Sequence, residues 1–164
     1  MSPEPIVIER PQQPYVAIRA IVSMQTIGEA AARFPAVFAW LAARGLAPAG
    51  APFLKYDSID MPGRLEIEVG VPVETPVDGD GEVVSGILPP GRYASLTVVG
   101  PPSDLAAHTR TLLDWATDKD LRFDQVRTDG TEQWICRLEI YNTDPAVEPD
   151  PAKWETELAF KLLD

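Results

Sequence analysis

The sequence contains few of the residues on which metal and nucleophilic chemistry depends. Its 164 residues include one cysteine, Cys136, and one histidine, His108. A lone cysteine cannot close an internal disulfide, which is typical of a protein in a reducing compartment. Zinc sites and Ser-His or Cys-His triads need more such groups or His108 itself. We therefore expect no metal and no cofactor, and any chemistry must use carboxylates and aromatic side chains.

Basic residues are also scarce. The chain has 14 lysines and arginines against 25 aspartates and glutamates, which gives a formal net charge of −11. Nucleic-acid binding depends on clustered lysine and arginine, so nucleic acid is not expected as a partner. An acidic surface either attracts cationic partners or only keeps the protein in solution. Both interpretations remain open at this point.

Long apolar runs are missing as well. No segment approaches the roughly 18–20 apolar residues that cross a bilayer, so we expect no membrane contact. The first residues, Met1–Pro5, are polar and interrupted by proline, unlike an export signal. These features predict a cytoplasmic protein. The length and the 45% hydrophobic content predict a single domain over residues 1–164.

The order of predicted elements occurs twice. A capping box at Thr26–Glu29 begins a helix that ends near Gly45, and Pro35 inside it predicts a kink or a split. A turn-rich stretch, Glu74–Gly86, marks an exposed midpoint. Around these features the pattern of apolar residues predicts, in chain order, strands at Ile6–Glu9, Tyr15–Val22, Pro52–Ser58 and Arg64–Val73 with a turn at Met61–Gly63, then a strand at Tyr93–Val99, a helix from Asp104 to about Asp120, and strands at Trp134–Thr143 and Trp154–Leu163.

The two halves also resemble each other in sequence. Tyr15 begins one strand as Tyr93 begins its counterpart, and Glu68 aligns with Glu157. We interpret the chain as two pseudo-repeats, residues about 6–75 and 84–164. The predicted fold class is α+β, with duplicated βαββ units that form an antiparallel curved sheet and two helices packed on one face.

Strand alternation sorts side chains onto two faces of this sheet. One face is apolar, and we expect it to carry the helices and to bury Cys136 as an inert thiol. The other face collects the polar side chains Glu66, Glu68, Glu139, Glu157, Arg137 and Tyr141. That face is either ordinary solvated surface or a groove of carboxylates and aromatic rings that attracts an organic cation.

Six segments, in this order and spacing, resemble a known family: Tyr15–Arg19, Pro52–Asp57, Leu65–Val73, Pro90–Ala94, Leu138–Pro145 and Trp154–Leu158. It is the GyrI-like small-molecule-binding domain family, also called the effector-binding or SOUL-like domain. The resemblance spans nearly the whole chain and implies two βαββ units with both helices on one side. Many relatives carry a helix-turn-helix domain, for which this sequence offers no residues, so we expect the stand-alone form.

The resemblance implies a cleft between the two halves that binds amphipathic, often cationic aromatic compounds. It implies that Glu157, within Thr156–Leu158, contacts the ligand and that Tyr141 lines the same pocket. Lys161 stands where the family has proline, near the rim, where it would neutralise Glu157 and weaken cation binding. The further candidates for lining the cleft are Glu68, Glu66, Glu139, Tyr56 and Tyr93.

Three hypotheses for the function remain open. The first is binding or sequestration of hydrophobic, cationic aromatic small molecules. The second is hydrolysis of electrophilic natural products, such as cyclopropanoid compounds, with Glu157 or Glu68 as general base and Tyr141 as the group that orients water. The third is a protein-interaction module of the gyrase-inhibitor type, whose acidic surface contacts a protein partner.

Overall fold

The structure is a computed structural model that describes residues 3–60 and 63–163. Met61 and Pro62 of the predicted turn lie outside the described residues. The described chain forms, in order, β1 (Ile6–Arg10), β2 (Gln13–Val22), α1 (Ile27–Ala31), α2 (Phe34–Ala43), β3 (Phe53–Asp60), β4 (Arg64–Pro72), β5 (Val83–Leu88), β6 (Gly91–Val99), α3 (Leu105–Asp118), β7 (Gln125–Thr128), β8 (Thr131–Trp134), β9 (Arg137–Tyr141) and β10 (Glu155–Lys161).

The strands form one antiparallel sheet in the order β1-β6-β10-β9-β3-β4-β2-β5, and the β7–β8 hairpin joins it through β3. This order is symmetric about its centre, where β3 and β9 lie side by side. Each outer strand pairs with the other half of the chain, because β1 pairs with β6 and β5 pairs with β2. The expected α+β architecture with an antiparallel sheet is confirmed.

The strand registers follow the same symmetry. Arg19 on β2 lies opposite Glu68, and Thr97 on β6 lies opposite Glu157. The two glutamates are therefore structural counterparts, which supports the interpretation of the chain as two repeats. Their other neighbours differ, because Lys55 lies opposite Glu68 whereas an isoleucine lies opposite Glu157.

The helices pack on one face of the sheet, on strands to either side of the central pair β3 and β9. Helices α1 and α2 contact β2 and β4, and α3 contacts β6. The predicted split is confirmed: the helix breaks between Ala31 and Phe34, and Pro35 falls in the first turn of α2, where its missing N–H costs no helical bond. The predicted capping box is wrong, because Thr26 Oγ1 instead accepts the backbone N–H of Ser23 at 2.8 Å. Within the described residues, no helix is long and apolar enough to cross a membrane.

The opposite face of the sheet is also buried. Its apolar cluster contains no helix residue and consists of Tyr15, Ala17, Phe53, Leu88, Tyr93, Cys136, Leu138, Ile140 and Ala159. A sheet face without a covering layer is buried only if the sheet curls on itself, so this cluster fills the interior of a half-barrel. We call the two sides the inner face and the helix face. Cys136 lies on the inner face, so its predicted position under the helices is wrong.

Strand β5 differs from the sequence prediction. The stretch Glu74–Gly86 was expected to be an exposed midpoint, but its last residues begin β5. This strand is held by antiparallel pairing with β2, where Ala17 lies opposite Val84. Its partner is distant in the sequence, so turn residues nearby carry no signal for the pairing.

Two glycines make room for the aromatic rings at the centre of the inner face. Tyr15 and Phe53 pack edge to face, with ring centroids 5.5 Å apart. A Cβ atom on Gly70 would lie 2.5 Å from the Phe53 ring, and one on Gly86 would lie 2.6 Å from the Tyr15 ring. Both positions must therefore lack a side chain if the rings are to stay in place.

We expect the substitution Gly70→Ala to lower the free energy of unfolding by about 1–3 kcal/mol, because the added methyl group overpacks the Phe53 ring. The matched control is Gly28→Ala in α1, where a Cβ meets nothing within 4 Å and alanine is the better helix former. Urea denaturation of the three proteins measures both effects. Equal stability of the Gly70→Ala variant and the native chain would contradict this account of the interior.

Candidate functional site

The predicted site residues do not share one face of the sheet. The inner face holds Glu68, Glu157 and Tyr93, and the helix face holds Tyr56, Glu139 and Tyr141. Glu66 lies near the start of β4, where its half-exposed side chain is 3.7 Å from that of Arg64. The structure therefore divides the expected cleft into two separate places.

A one-residue irregularity before β9 explains this division. The strand predicted over Trp134–Thr143 is interrupted at Ile135 and Cys136. Trp134 and Arg137 both lie on the helix face, so one residue more than regular alternation allows stands between them. Because side chains alternate with a period of two, this insertion moves every later residue of the strand to the other face.

The prediction that Glu139 and Tyr141 share the face of Glu157 is therefore wrong. Tyr141 and Glu139 lie directly opposite Thr156 and Leu158, and Leu158 packs in the core that contains α3. Glu157 lies between those two residues on β10 and points to the inner face. Tyr141 consequently cannot orient a water molecule for Glu157.

A buried ionic cluster lies on the inner face around Lys55, and we call it the Lys55 cluster. The Lys55 ammonium donates to the carboxylates of Asp57 and Glu68, with 3.1 Å between Nζ and Oε2 of Glu68. The Tyr15 hydroxyl donates to Oε1 of Glu68 at 2.7 Å. Lys55 and Asp57 were not among the predicted site residues, since alternation alone does not reveal the two carboxylates that flank the lysine.

The two carboxyl groups of the Lys55 cluster differ in proton affinity. Burial raises the pKa of Asp57 to about 7, and the adjacent Glu68 adds to this shift. Burial alone would raise the pKa of Glu68, but hydrogen bonding to Asp57, Lys55 and Tyr15 holds it below its ordinary value. The negative charge therefore resides on Glu68, and Asp57 is the group that titrates near neutral pH.

Glu157 has different partners from its counterpart Glu68. Its Oε2 atom accepts hydrogen bonds from Ser95 Oγ at 2.7 Å and from Arg10 Nη1 at 3.2 Å. The cation that pairs with Glu157 is therefore Arg10 of the edge strand β1. Lys161, expected in that role, is buried and donates to Asp124 Oδ2 at 3.1 Å.

A groove opens beside Glu157 on the inner face, and we call it the inner groove. It has a volume of about 240 Å³. Its apolar wall includes Phe53, Leu138 and Ile140, and its polar rim includes Arg10 and Glu157. Arg10 was not predicted, because a charged residue at the end of a first strand does not indicate with which strand it pairs.

Polar and aromatic side chains also gather on the central strands of the helix face, between the two helical layers, and we call this place the central crevice. The helices contact β2, β4 and β6, so the central strands β3 and β9 form a floor between the two helical layers. Tyr141 packs against the cores on both sides of this floor, and its ring centroid is 6.0 Å from that of Phe34. Glu139, Tyr141 and Arg137 all remain partly exposed there.

Glu139 is the acidic group of the central crevice. Its Oε1 atom accepts the hydrogen bond of the Tyr141 hydroxyl at 2.7 Å, and Tyr56 lies close enough to interact with it electrostatically. Burial raises the pKa of Glu139, against the two tyrosines and the charge of Arg137, which lower it. The crevice thus holds a carboxylate that Tyr141 orients and whose pKa lies above its ordinary value.

Arg137 places a cation among aromatic rings beside Glu139. Its guanidinium carbon lies 4.6 Å from the ring centroid of Phe160, 4.9 Å from that of Trp134 and 5.6 Å from that of Tyr56. The sequence places Trp134 and Phe160 on the apolar face of their strands, and such a pattern does not distinguish core packing from a cation-binding box.

Neither metal binding nor thiol chemistry is indicated by the residues that the structure describes. Among residues 3–60 and 63–163, no group of three or more His, Cys, Asp or Glu side chains is placed to hold a metal ion. Burial raises the pKa of the Cys136 thiol to about 11, so it is protonated and a poor nucleophile at neutral pH.

Comparison with known proteins gives a family and a fold. A family model described as the GyrI-like small molecule binding domain matches residues 3–163. No curated protein matches the sequence. The fold is similar to the EcmrR C-terminal domain, with 18% identity, a TM-score of 0.78, and coverage of 100% of this chain and 99% of that one. The chain spans 58% of the longer EcmrR chain seen in a complex with DNA (18% identity, TM-score 0.79, 99% of this chain covered).

Two further structures share the fold. SAV2435 bound to tetraphenylphosphonium has 12% identity and a TM-score of 0.62, and the match covers 98% of this chain and 94% of that one. A protein described as a hydrolase from Listeria innocua has 14% identity and a TM-score of 0.65, with 98% of this chain and 92% of that one covered. At these identities the likeness establishes the architecture alone.

The Lys55 cluster predicts a pH-dependent stability. The pKa of Asp57 is about 7 in the folded chain against an ordinary value of 3.8, so the folded state binds this proton more tightly than the unfolded state. The contribution of Asp57 therefore becomes less favourable as the pH rises from about 4 to about 7. We expect the melting temperature of Asp57→Asn, relative to the native chain, to rise between pH 5 and pH 8.

The control for this experiment is Asp78→Asn, which replaces an exposed aspartate in a loop. Thermal unfolding followed by circular dichroism at several pH values gives the comparison. Parallel pH profiles for Asp57→Asn and the native chain would show that Asp57 keeps an ordinary carboxyl pKa.

Proposed function

This chain belongs to the GyrI-like small molecule binding domain family, and we propose that it binds amphipathic, aromatic organic cations in the central crevice. Glu139 supplies the negative charge there, and Tyr141 holds its carboxylate in place. The observation that carries this proposal is a partly exposed carboxylate, oriented by the Tyr141 hydroxyl, on the floor between the two helical layers.

Simple electrostatics gives such a site a useful affinity. A cation about 4 Å from a carboxylate, at an effective dielectric constant near 20, gains about 4 kcal/mol before desolvation. Contact with an aromatic face adds roughly 0.5–2 kcal/mol. Phe34 and Tyr141 offer such faces at the crevice. SAV2435, which shares the fold, is bound to tetraphenylphosphonium, a cation of this class.

The crevice also contains a competitor for the ligand. Arg137 already stacks against Trp134, Phe160 and Tyr56 in the aromatic surroundings of Glu139. Its positive charge repels a second cation and occupies ring faces that a ligand would use. We therefore expect moderate affinity for cations in the native chain.

Hydrolysis of electrophilic compounds is a second candidate for the same crevice. A general base works best when its pKa lies near the operating pH, and burial shifts the pKa of Glu139 in that direction. Glu139 would remove the proton of a water molecule that attacks a cyclopropane carbon while the strained carbon–carbon bond breaks, and protonated Glu139 would return that proton to the leaving carbon. Tyr141, which donates to Glu139 at 2.7 Å, would orient the water. A saturable loss of a cyclopropanoid substrate that disappears in Glu139→Gln and persists in Glu157→Gln would favour this function.

The substitution Glu139→Gln tests the binding function. We expect it to weaken tetraphenylphosphonium binding by at least about tenfold, which corresponds to about 1.4 kcal/mol, because the variant lacks the negative charge. In the native chain the affinity should rise with pH as Glu139 ionises, whereas in the variant it should not depend on pH. Isothermal titration calorimetry measures both quantities.

The control is Glu66→Gln, which removes an acid of equal charge whose half-exposed side chain lies near the start of β4. Native affinity in this control separates the local effect of Glu139 from a general effect of net charge. Equal weakening in both variants, or unchanged binding by Glu139→Gln, would contradict the assignment of the crevice.

The substitution Arg137→Gln tests the competition. We expect it to strengthen tetraphenylphosphonium binding by about tenfold or less, since it removes a like charge and frees aromatic faces. Arg127→Gln is the matched control, because both arginines lie near the carboxylate of Glu132, Arg137 at 3.9 Å and Arg127 at 2.8 Å, but Arg127 is exposed. Weaker binding by Arg137→Gln would mean that Arg137 supports the ligand instead of competing with it.

A further inference from the structure

We propose that the inner groove is a second binding site, for a small zwitterion that carries an ammonium and a carboxylate group on an apolar body. The groove lies on the inner face of the sheet, and the central crevice lies on the helix face. The two sites are therefore separated by the sheet itself. This inference does not depend on the function proposed for the crevice.

The two charged side chains at the rim of the groove, Arg10 and Glu157, do not use all of their hydrogen-bonding capacity on each other. Arg10 and Glu157 make a single contact of 3.2 Å, between Nη1 and Oε2. Within residues 3–60 and 63–163, Oε1 of Glu157 accepts no hydrogen bond, and the other N–H groups of the Arg10 guanidinium donate to no residue. A guanidinium has five donors, so both partners keep hydrogen-bonding capacity toward a ligand.

The pair favours a ligand that carries both charges. A lone cation must displace Arg10 or lie close to it, and a lone anion on Arg10 is repelled by Glu157. A zwitterion places its ammonium group on Glu157 and its carboxylate on Arg10, so four charges are paired and none is left over. In an α-amino acid the two groups stand on one carbon atom, which matches two protein charges in direct contact.

The position of the pair makes it accessible to a ligand. The side chain of Arg10 is 30% exposed and belongs to an edge strand, so it can adjust to a ligand. The side chain of Glu157 is 17% exposed and is fixed by Ser95 at 2.7 Å. One partner is thus adaptable and the other is preorganised, which lowers the cost of binding.

The wall of the groove suits a ring or a branched apolar group. Phe53, Leu138 and Ile140 line it, and all three are buried in the interior cluster. The volume of about 240 Å³ equals that of about eight water molecules, enough for an amino acid with one aromatic ring. Because these three side chains are nearly fully buried, the charges of Arg10 and Glu157 supply most of the affinity, and the wall sets the shape of the ligand.

Comparison of the two halves explains why the site exists in only one of them. At the counterpart position Lys55 lies opposite Glu68 and neutralises it inside the sheet. In the second half, the residue opposite Glu157 is Ile140, so the wall of the groove is apolar at this point. The charge of Glu157 is instead paired with Arg10 at the rim. The groove therefore combines a carboxylate, a cation and an apolar wall.

Three probes that share one ring test the proposal: L-phenylalanine, phenethylamine and 3-phenylpropanoate. We expect L-phenylalanine to bind saturably to the native protein and the other two to bind at least about tenfold more weakly, because each lacks one charge. Chemical-shift titration of the ¹⁵N-labelled protein measures all three affinities and places the perturbed amides. Arg10→Gln and Glu157→Gln should each weaken L-phenylalanine binding by about tenfold or more.

Two further variants keep the test valid if a charge variant fails to fold. Ala49→Trp narrows the groove from an exposed position on its rim and leaves both charges in place, so it should also abolish binding. Glu139→Gln alters the other face and should leave L-phenylalanine binding unchanged. The failure of this proposal is thereby distinguishable from the failure of cation binding in the central crevice.

Three results would overturn the proposal. The first is no saturable binding of L-phenylalanine to the folded native chain. The second is binding that Arg10→Gln, Glu157→Gln and Ala49→Trp all leave unchanged, which would locate the ligand elsewhere. The third is tightest binding of phenethylamine, strengthened further by Arg10→Gln, which would make the groove a site for cations that displace Arg10.

Discussion

The structure depends on the edge-to-face contact between Tyr15 and Phe53 in the interior of the half-barrel. The two rings occupy space that side chains at Gly86 and Gly70 would fill, so the sheet can curl around them. The curl buries the carboxylate of Glu68 under the Tyr15 hydroxyl and creates a confined groove beside the wall to which Phe53 belongs.

The sheet separates two acidic sites, and each site already contains a cation of the protein. Arg137 lies beside Glu139 in the central crevice, and Arg10 pairs with Glu157 at the inner groove. The formal net charge of −11 therefore says little about the charge that either site prefers. Local pairing decides it, because an exposed surface charge is screened within about 10 Å at ordinary ionic strength.

The two halves of the chain share one strand register but differ in the residues opposite their counterpart glutamates. Glu68 and Glu157 occupy counterpart positions, yet a lysine lies opposite one and an isoleucine lies opposite the other. Lys55 forms an internal ion pair with Glu68, and the neighbouring Asp57, whose pKa is about 7, makes the stability of this cluster depend on pH. Ile140 lies opposite Glu157 and offers no charge, so the Glu157 carboxylate is paired with Arg10 of the edge strand β1. A single difference between neighbouring strands thus separates a structural cluster from a candidate site.

The sequence by itself determined the order of the elements other than β5 and the β7–β8 hairpin, the split of the first helix near Pro35 and the correspondence of Glu68 with Glu157, because these follow from local propensity and from repetition along the chain. Only the tertiary structure decided which residues meet. The extra residue at Ile135 and Cys136 moves Glu139 and Tyr141 to the helix face, since a shift of one residue exchanges the two sides of a strand. The pairing of β1 with β6 and the curl of the sheet bring Arg10 to Glu157, and both arise from contacts between residues far apart in the sequence.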